Sequence, residues 1–429
     1  MPNPAGGRGD GGDAVTRPPS PLTVAARAGT PDPAPGGVPL VEPPSLASVD
    51  AFPDLADLDA AMAAGRGGYR RFGNPSVHRL EEALIALEGY GLPDPPVCRV
   101  TSSGQAALLL ALSTLVGPGR RRVVLLRPCY GGSESLLAGP LAALGVEPVM
   151  VDLPPPGEVA RQLDQVRKML TSEVACVVAE IIGNPLMGLL DLPALVELCR
   201  SAGAATVIDN TFATPFLLRP LELGADVVVE SLSKQLSGHA DVLGGAVAIR
   251  AGHPAADLLA AHSRFLGAVM APFDAFLSLR GLRTAGLRVE RGAAGAAALA
   301  QLATAHPAVA AVHYPGSRSP EEEALAARLL PQGRGSMLAL DLGGREQADL
   351  LLRALPEIRL APSLGDVATT VSHPALSSHR GLSPAQRRSL GIGDGLLRFS
   401  VGIEEIEDLT GELRAALDRV AGTMGPASK

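Results

Sequence analysis

The stretch Glu230-Ser-Leu-Ser-Lys-Gln-Leu-Ser-Gly-His-Ala-Asp-Val-Leu-Gly-Gly245 is where the fold can be read. It follows a short apolar run, Asp226-Val-Val-Val229, which has the length and composition of a buried strand. One lysine, Lys234, stands just past that strand end among the hydroxyls of Ser231, Ser233 and Ser237. A lysine amine so placed is suited to forming a Schiff base with a carbonyl, and the hydroxyls around it to holding a phosphate. Taken alone, the stretch reads more readily as a solvated loop with a surface lysine.

Its neighbours along the chain change that. Apolar runs at Val97–Val100, Val123–Leu126, Pro148–Val151, Val174–Ile181, Ala205–Ile208, Asp226–Val229 and Ala246–Ile249 read as strands. Amphipathic stretches at Gln105–Leu115, Glu134–Leu144, Glu158–Leu170 and Pro193–Ala202 lie between most of them. Continuous apolar strands alternating with helices predict an α/β fold with a mostly parallel sheet covered on both faces. Ligands then sit beyond the carboxyl ends of the strands. Those ends carry Ser103-Gly104-Gln105 opening a helix, Cys129-Tyr130-Gly131-Gly132, Gly183-Asn184-Pro185, Asp209-Asn210-Thr211, and the Lys234 stretch. A phosphate cradle, a stacking ring, an amide, a carboxylate and a lysine make up a complete set for pyridoxal 5'-phosphate.

Composition narrows the alternatives. The 429 residues include 46% hydrophobic ones, enough for a large core. A net charge of -7 and the absence of Trp offer neither a basic surface nor a stacking platform for nucleic acid. No apolar stretch reaches the roughly 18 residues needed to span a bilayer, so no membrane partner is expected. The four cysteines are scattered, which fits a reducing cytoplasmic setting without disulfides. His78, His306, His313, His373 and His379 show no metal-ligand spacing, so no metal is expected. No GxGxxG follows the first strand, which argues against a nicotinamide-binding dehydrogenase.

Towards the N-terminus, residues 1–45 are rich in Pro, Gly and Ala and read as a disordered tail. Ser76 is the expected cap of a helix carrying Leu80, Ala83, Leu84 and Leu87. Towards the C-terminus, Pro272–Arg288 reads as one long helix joining the domains. Strands near Met337–Leu342 and Leu397–Val401 and a helix near Ile406–Val420 follow it, with frayed last residues.

On these residues the chain resembles the Cys/Met-metabolism family of pyridoxal-phosphate enzymes, continuously from about Tyr69 to Leu417. The resemblance rests on Tyr69–Ser76, Ser103–Ala107, Tyr130–Gly132, Asn184–Pro185, Asp209–Leu218, Ser231–Gly245, Pro272–Arg288, Pro362–Gly365 and Arg398–Glu404. It implies a fold-type I transferase with a large domain at 81–285 and a smaller C-terminal α/β domain at 286–429. An arm at 46–80 would reach into the neighbouring subunit's site.

It also implies roles for single residues. Lys234 would carry the cofactor and move protons, Asp209 would pair with the pyridine nitrogen, and Tyr130 would stack on the ring and serve the leaving group. Asn184 would meet the ring hydroxyl. Gly104, Gln105, Thr211, Ser231 and Ser233 would surround the cofactor and its phosphate, completed by Tyr69 and Arg71 from the partner of a homodimer or homotetramer. Arg398 would grip the substrate carboxylate, with Ser363 beside it.

The implied activity is γ-replacement or γ-elimination on a small amino acid of the cystathionine or O-acylhomoserine type. The alternatives are another reaction of the same cofactor, such as β-elimination or a γ-substitution in specialised metabolism, and a non-catalytic binding protein of this fold. Two departures from the family pattern bear on the site. Gln105 replaces the usual Met, and Ala368 replaces a Glu, which is expected to alter the side-chain pocket. His239 is expected to support the Lys234 loop.

Overall fold

The computed structural model describes residues 18–64 and 68–423. Two sheets organise them. The larger has seven strands: β1 (Val97–Thr101), β2 (Arg122–Arg127), β3 (Glu147–Asp152), β4 (Val174–Glu180), β5 (Ala205–Asp209), β6 (Val227–Glu230) and β7 (Gly245–Ile249). Their order is β1-β7-β6-β5-β4-β2-β3. From β3 to β6 neighbours run parallel, while β7 is antiparallel to both β6 and β1. β4, β6 and β7 are buried along nearly their whole length, as continuous apolar runs under helices on both faces should be.

The smaller sheet holds β8 (Ala311–His313), β9 (Met337–Asp341), β10 (Arg359–Leu360), β11 (Thr370–Ser372) and β12 (Leu396–Ser400), in the order β10-β11-β12-β9-β8. Only its β10–β11 pair is parallel. The helix Ala285–Thr304 runs between the two layers. Its Val289 packs into the core of the large sheet, while Ala296, Leu299 and Ala303 pack into the core of the small one.

Several local expectations are corrected. The expected helix Pro272–Arg288 is two helices, Pro272–Leu282 and Ala285–Thr304. At the break the Arg288 guanidinium donates to the Gly281 carbonyl at 2.7 Å and to those of Gln235 and Leu236 at 2.6 and 3.1 Å, so it caps the first helix and holds the Lys234 loop together. The helix Pro75–Glu88 is capped by Asn74, whose side chain accepts from Ser76 N at 2.9 Å. Pro75 takes the first helical position, where its missing N–H costs nothing, and this moves the cap one residue before it. The expected helix Glu134–Leu144 is a short α-helix, Gly131–Leu136, followed by a π-turn, Leu137–Leu141. Pro140 cannot donate to the regular ladder.

Within the expected tail, residues 20–28 are ordered. Ser20 caps a helix at Pro21–Arg27, and Ala25 and Ala28 bury against Leu80 and Leu84. Small side chains let that helix lie close to its neighbour, so large apolar residues are not needed there. The expectation for residues 1–17, and that for the last residues from 424, lie outside the described residues. Among the described residues no helix is long and apolar enough to cross a membrane, and no three His, Cys, Asp or Glu stand together as a metal site.

Candidate active site

A cavity of about 420 Å³ opens at the carboxyl ends of β4, β5 and β6. That volume suits a cofactor with a small substrate. Lys234, Asp209, Tyr130, Asn184, Thr211, Gly104, Gln105, Ser231, Ser233, Ser363 and Arg398 all line it.

Each side chain is placed by an element end. Asp209 closes β5 and sits in register with Glu180, which closes β4. Lys234 follows β6 on a loop held by Arg288 and pressed by Gly365. The latter has φ +81° and leaves no room for a side chain, because a Cβ there would lie 2.5 Å from Gln235 N. Lys234 Nζ donates to Ser363 Oγ at 3.1 Å. Burial, with the nearby Arg398 charge, lowers the ammonium pKa and favours the neutral amine.

The helix Gly104–Leu115 points its N-terminus at the cavity. Ser103 Oγ accepts from Ala106 N at 3.1 Å. The free N–H groups of that first turn, with Ser231 alongside, form a neutral anion cradle. Ser231 N donates to Thr211 Oγ1 at 2.9 Å, and Thr211 N donates to Asp209 Oδ1 at 3.1 Å. Burial raises the Asp209 carboxyl above its ordinary range, while Thr211 pulls it down.

Arg398 arrives from β12 of the small sheet. Its Nη1 donates to Asn184 Oδ1 at 2.7 Å and its Nη2 to the Ser363 carbonyl at 3.4 Å, and its buried Nε has no protein partner. A buried guanidinium N–H without an acceptor beside the cavity suits a carboxylate-bearing ligand.

The donor set fits pyridoxal 5'-phosphate. It combines a partly desolvated lysine, a buried carboxylate able to pair with a pyridinium, an aromatic ring 42% exposed at Tyr130, and a helix N-terminus for the phosphate.

Tyr69 and Arg71 do not line the cavity of their own chain. Tyr69 is half exposed, and Arg71 donates to the Arg264 carbonyl at 2.8 Å. Ala368 is exposed and stands off the cavity lining of its own chain. His239 bonds the Ser237 carbonyl through Nδ1 at 2.7 Å, inside the loop.

Sequence reasoning missed Glu180. Its Oε1 accepts from Tyr130 N at 2.6 Å and its Oε2 from Asn184 N at 2.8 Å, so one carboxylate sets the backbone of two site residues. Burial first, then the Asp209 charge, pushes its pKa up to about 8. Glu180 falls inside an apolar run, and a lone acid at a strand end was the signal to notice. Arg288 was likewise hidden in a helical stretch.

The comparisons with known proteins agree with this geometry. The family model for Cys/Met metabolism PLP-dependent enzymes matches residues 27–418. The L-methionine gamma-lyase of Pseudomonas putida is 35% identical over 391 residues, covering 90% of this chain and 94% of the relative. The cystathionine gamma-synthase of Mycobacterium tuberculosis is 37% identical over 401 residues, covering 92% and 96%. The crystal structure of cystathionine gamma synthase from Xanthomonas oryzae pv. oryzae, in complex with aminoacrylate and cysteine, superposes with a TM-score of 0.84 at 37% identity, covering 95% of this chain and all of that one. With the lysine, the acid and the arginine gathered on one cavity, the chain belongs to the Cys/Met-metabolism family of pyridoxal-phosphate-dependent enzymes.

Proposed function

We propose that this enzyme carries out γ-elimination or γ-replacement on a small amino acid of the cystathionine or O-acylhomoserine type. The observation that carries the reading is the convergence of Lys234, Asp209 and Arg398 on one cavity. Lys234 would hold pyridoxal 5'-phosphate through its aldehyde, Asp209 the ring nitrogen, Tyr130 the ring face, Asn184 the ring hydroxyl, and Gly104, Gln105, Thr211, Ser231 and Ser233 the phosphate end. Bound there, the cofactor supplies an electron sink for the pair released at the substrate Cα.

The chain's own groups supply the rest. Arg398 binds the α-carboxylate through its unpartnered Nε and its Nη atoms, which fixes the Cα–H bond relative to Lys234 Nζ. The lysine amine, favoured in its neutral form by burial, takes the proton from Cα. Ser363 Oγ, 3.1 Å from Nζ, orients that amine. The Tyr130 phenol serves the group leaving Cγ. Tyr69 and Arg71, off their own cavity, complete the phosphate end of a partner subunit's site, in a homodimer or homotetramer with shared sites. In this reading residues 81–285 form the cofactor domain, and residues 286–429 the smaller domain that brings Arg398 and Ser363.

The test is product analysis on the holoenzyme. Cystathionine, O-acetylhomoserine and O-succinylhomoserine are supplied in turn, with and without cysteine or sulfide. Formation of 2-oxobutyrate marks elimination, and joining of the homoserine carbon chain to the thiol marks replacement. A yellow protein that yields neither product from any of them overturns the proposal.

A further inference from the structure

The backbone from Cys129 to Gly132 is gripped from three sides. Tyr130 N donates to Glu180 Oε1 at 2.6 Å. The Cys129 carbonyl accepts from His379 Nε2 at 2.9 Å. The Gly132 carbonyl accepts from Gln105 Nε2 at 2.8 Å. These partners come from three separate places: the end of β4, the segment after β11, and the first turn of the helix Gly104–Leu115.

The tautomer of His379 follows from its partners. A carbonyl can only accept, so Nε2 carries the hydrogen and Nδ1 accepts from Ser378 Oγ at 2.9 Å. Burial pushes the imidazole pKa down to about 4, so the ring stays neutral around neutral pH. The packing is close on both sides of this grip. A Cβ at Gly131 would run into the Ser378 carbonyl, and one at Gly132 would run into the Tyr130 ring. The ring therefore folds back over its own backbone, and the neighbouring segment lies directly against it. That segment also brings Ser377 and Ser378 to the cavity wall. Two consecutive glycines after Tyr130 would otherwise leave this backbone loose.

We propose that His379 and Gln105 are positioning residues that fix the Tyr130 ring over the cofactor and tie its place to that of the 374–382 segment. The proposal rests on the reading of Tyr130 as the group that serves the γ-substituent. His379 is neither acid nor base in it, since both ring nitrogens are engaged by protein groups. Gln105 adds a point of attachment that a methionine at the same place could not supply. Because the 374–382 segment precedes β12, which carries Arg398, the same strut links the carboxylate grip to the ring.

The test uses 3-fluorotyrosine labelling and ¹⁹F NMR on the holoenzyme without substrate. The chain has four tyrosines, so four resonances are expected, and Tyr130→Phe identifies the relevant one. His379→Leu should broaden or split the Tyr130 line and lower kcat by about 10- to 100-fold, with KM changed by less than about 3-fold. His379→Gln keeps a donor near Nε2. It should restore a single line and most of kcat, with the wild-type pH profile. Gln105→Met keeps length but drops the donor, and should shift the same line and cost about 3- to 10-fold in kcat. An unmoved Tyr130 line in both His379→Leu and Gln105→Met overturns the proposal, as does a His379→Gln enzyme no better than His379→Leu. If His379→Leu does not fold, Gln105→Met decides the matter alone. The line is read without substrate, so a wrong assignment of the reaction leaves this result standing.

Discussion

Two pairs of buried carboxyl groups flank the same strands and are hydrogen-bonded very differently. Glu180 and Asp209 sit side by side at the ends of β4 and β5 and face the cavity. Glu88 and Glu230 lie outside it, at the end of the helix Pro75–Glu88 and the end of β6, among the apolar cluster built by Leu80, Leu84, Leu87 and Val228. All four are pushed up by burial. The cavity pair is surrounded by donors: two main-chain N–H groups on Glu180, one on Asp209, and Arg398 nearby. The other pair has the Asn210 amide on Glu230 at 3.1 Å, while both oxygens of Glu88 and Oε2 of Glu230 lack a donor. A proton shared between the two carboxyls joins one oxygen of Glu88 to one of Glu230. Burial raises both pairs alike; the difference is that main-chain donors fix the oxygens of the cavity pair, while most oxygens of the other pair meet none.

Breaking the cavity pair should have the largest effect. Asp209→Ala removes the anion meant for the pyridinium and should lower kcat by about 10²- to 10³-fold, with weakened cofactor retention in a gel-filtration and absorbance assay. Activity within a few-fold of wild type would remove Asp209 from the site. Glu180→Gln comes next. The amide keeps one acceptor oxygen, so Tyr130 N or Asn184 N loses its partner, and kcat should fall by about 10-fold in steady-state assays.

Glu88→Gln should leave kcat within about 2-fold and act on stability instead. The folded-state pKa of Glu88 is about 8 against an ordinary 4.5. Its contribution to stability is therefore complete below the ordinary value and is lost as pH rises through the folded value. Glutamine cannot ionise, so the variant should match wild type in Tm at low pH and exceed it by about 4 °C or more above that range. Parallel Tm curves would show that the Glu88–Glu230 proton is not held as described.

The strands of the large sheet were readable because burial on both faces demands continuous apolar runs, and such runs are a local property. Lys234, Asp209, Tyr130 and Asn184 were readable for the same reason, since each stands where a run stops. Glu180 was absorbed into its run because one acid at the end of seven apolar-rich positions looks like a strand terminus. The helix break at Arg283-Thr284 was invisible because its cause is Arg288 reaching carbonyls about fifty positions away. The helix Pro21–Arg27 was missed because alanine counts little as an apolar signal yet packs well against a helix groove. Tyr69 and Arg71 were assigned by resemblance, and their distance from their own cavity became a fact only in three dimensions.

Periodicity, strand-end chemistry and composition were thus enough to place a cofactor site on an α/β sheet, because each depends on neighbours a few residues apart. Which groups touch was settled by packing. Arg398 meets Asn184 across 214 positions, Lys234 meets Ser363 across 129, and His379 meets the Cys129 carbonyl across 250. Contacts at that separation are made by the closure of the two sheets upon each other, and no local pattern encodes the register of that closure.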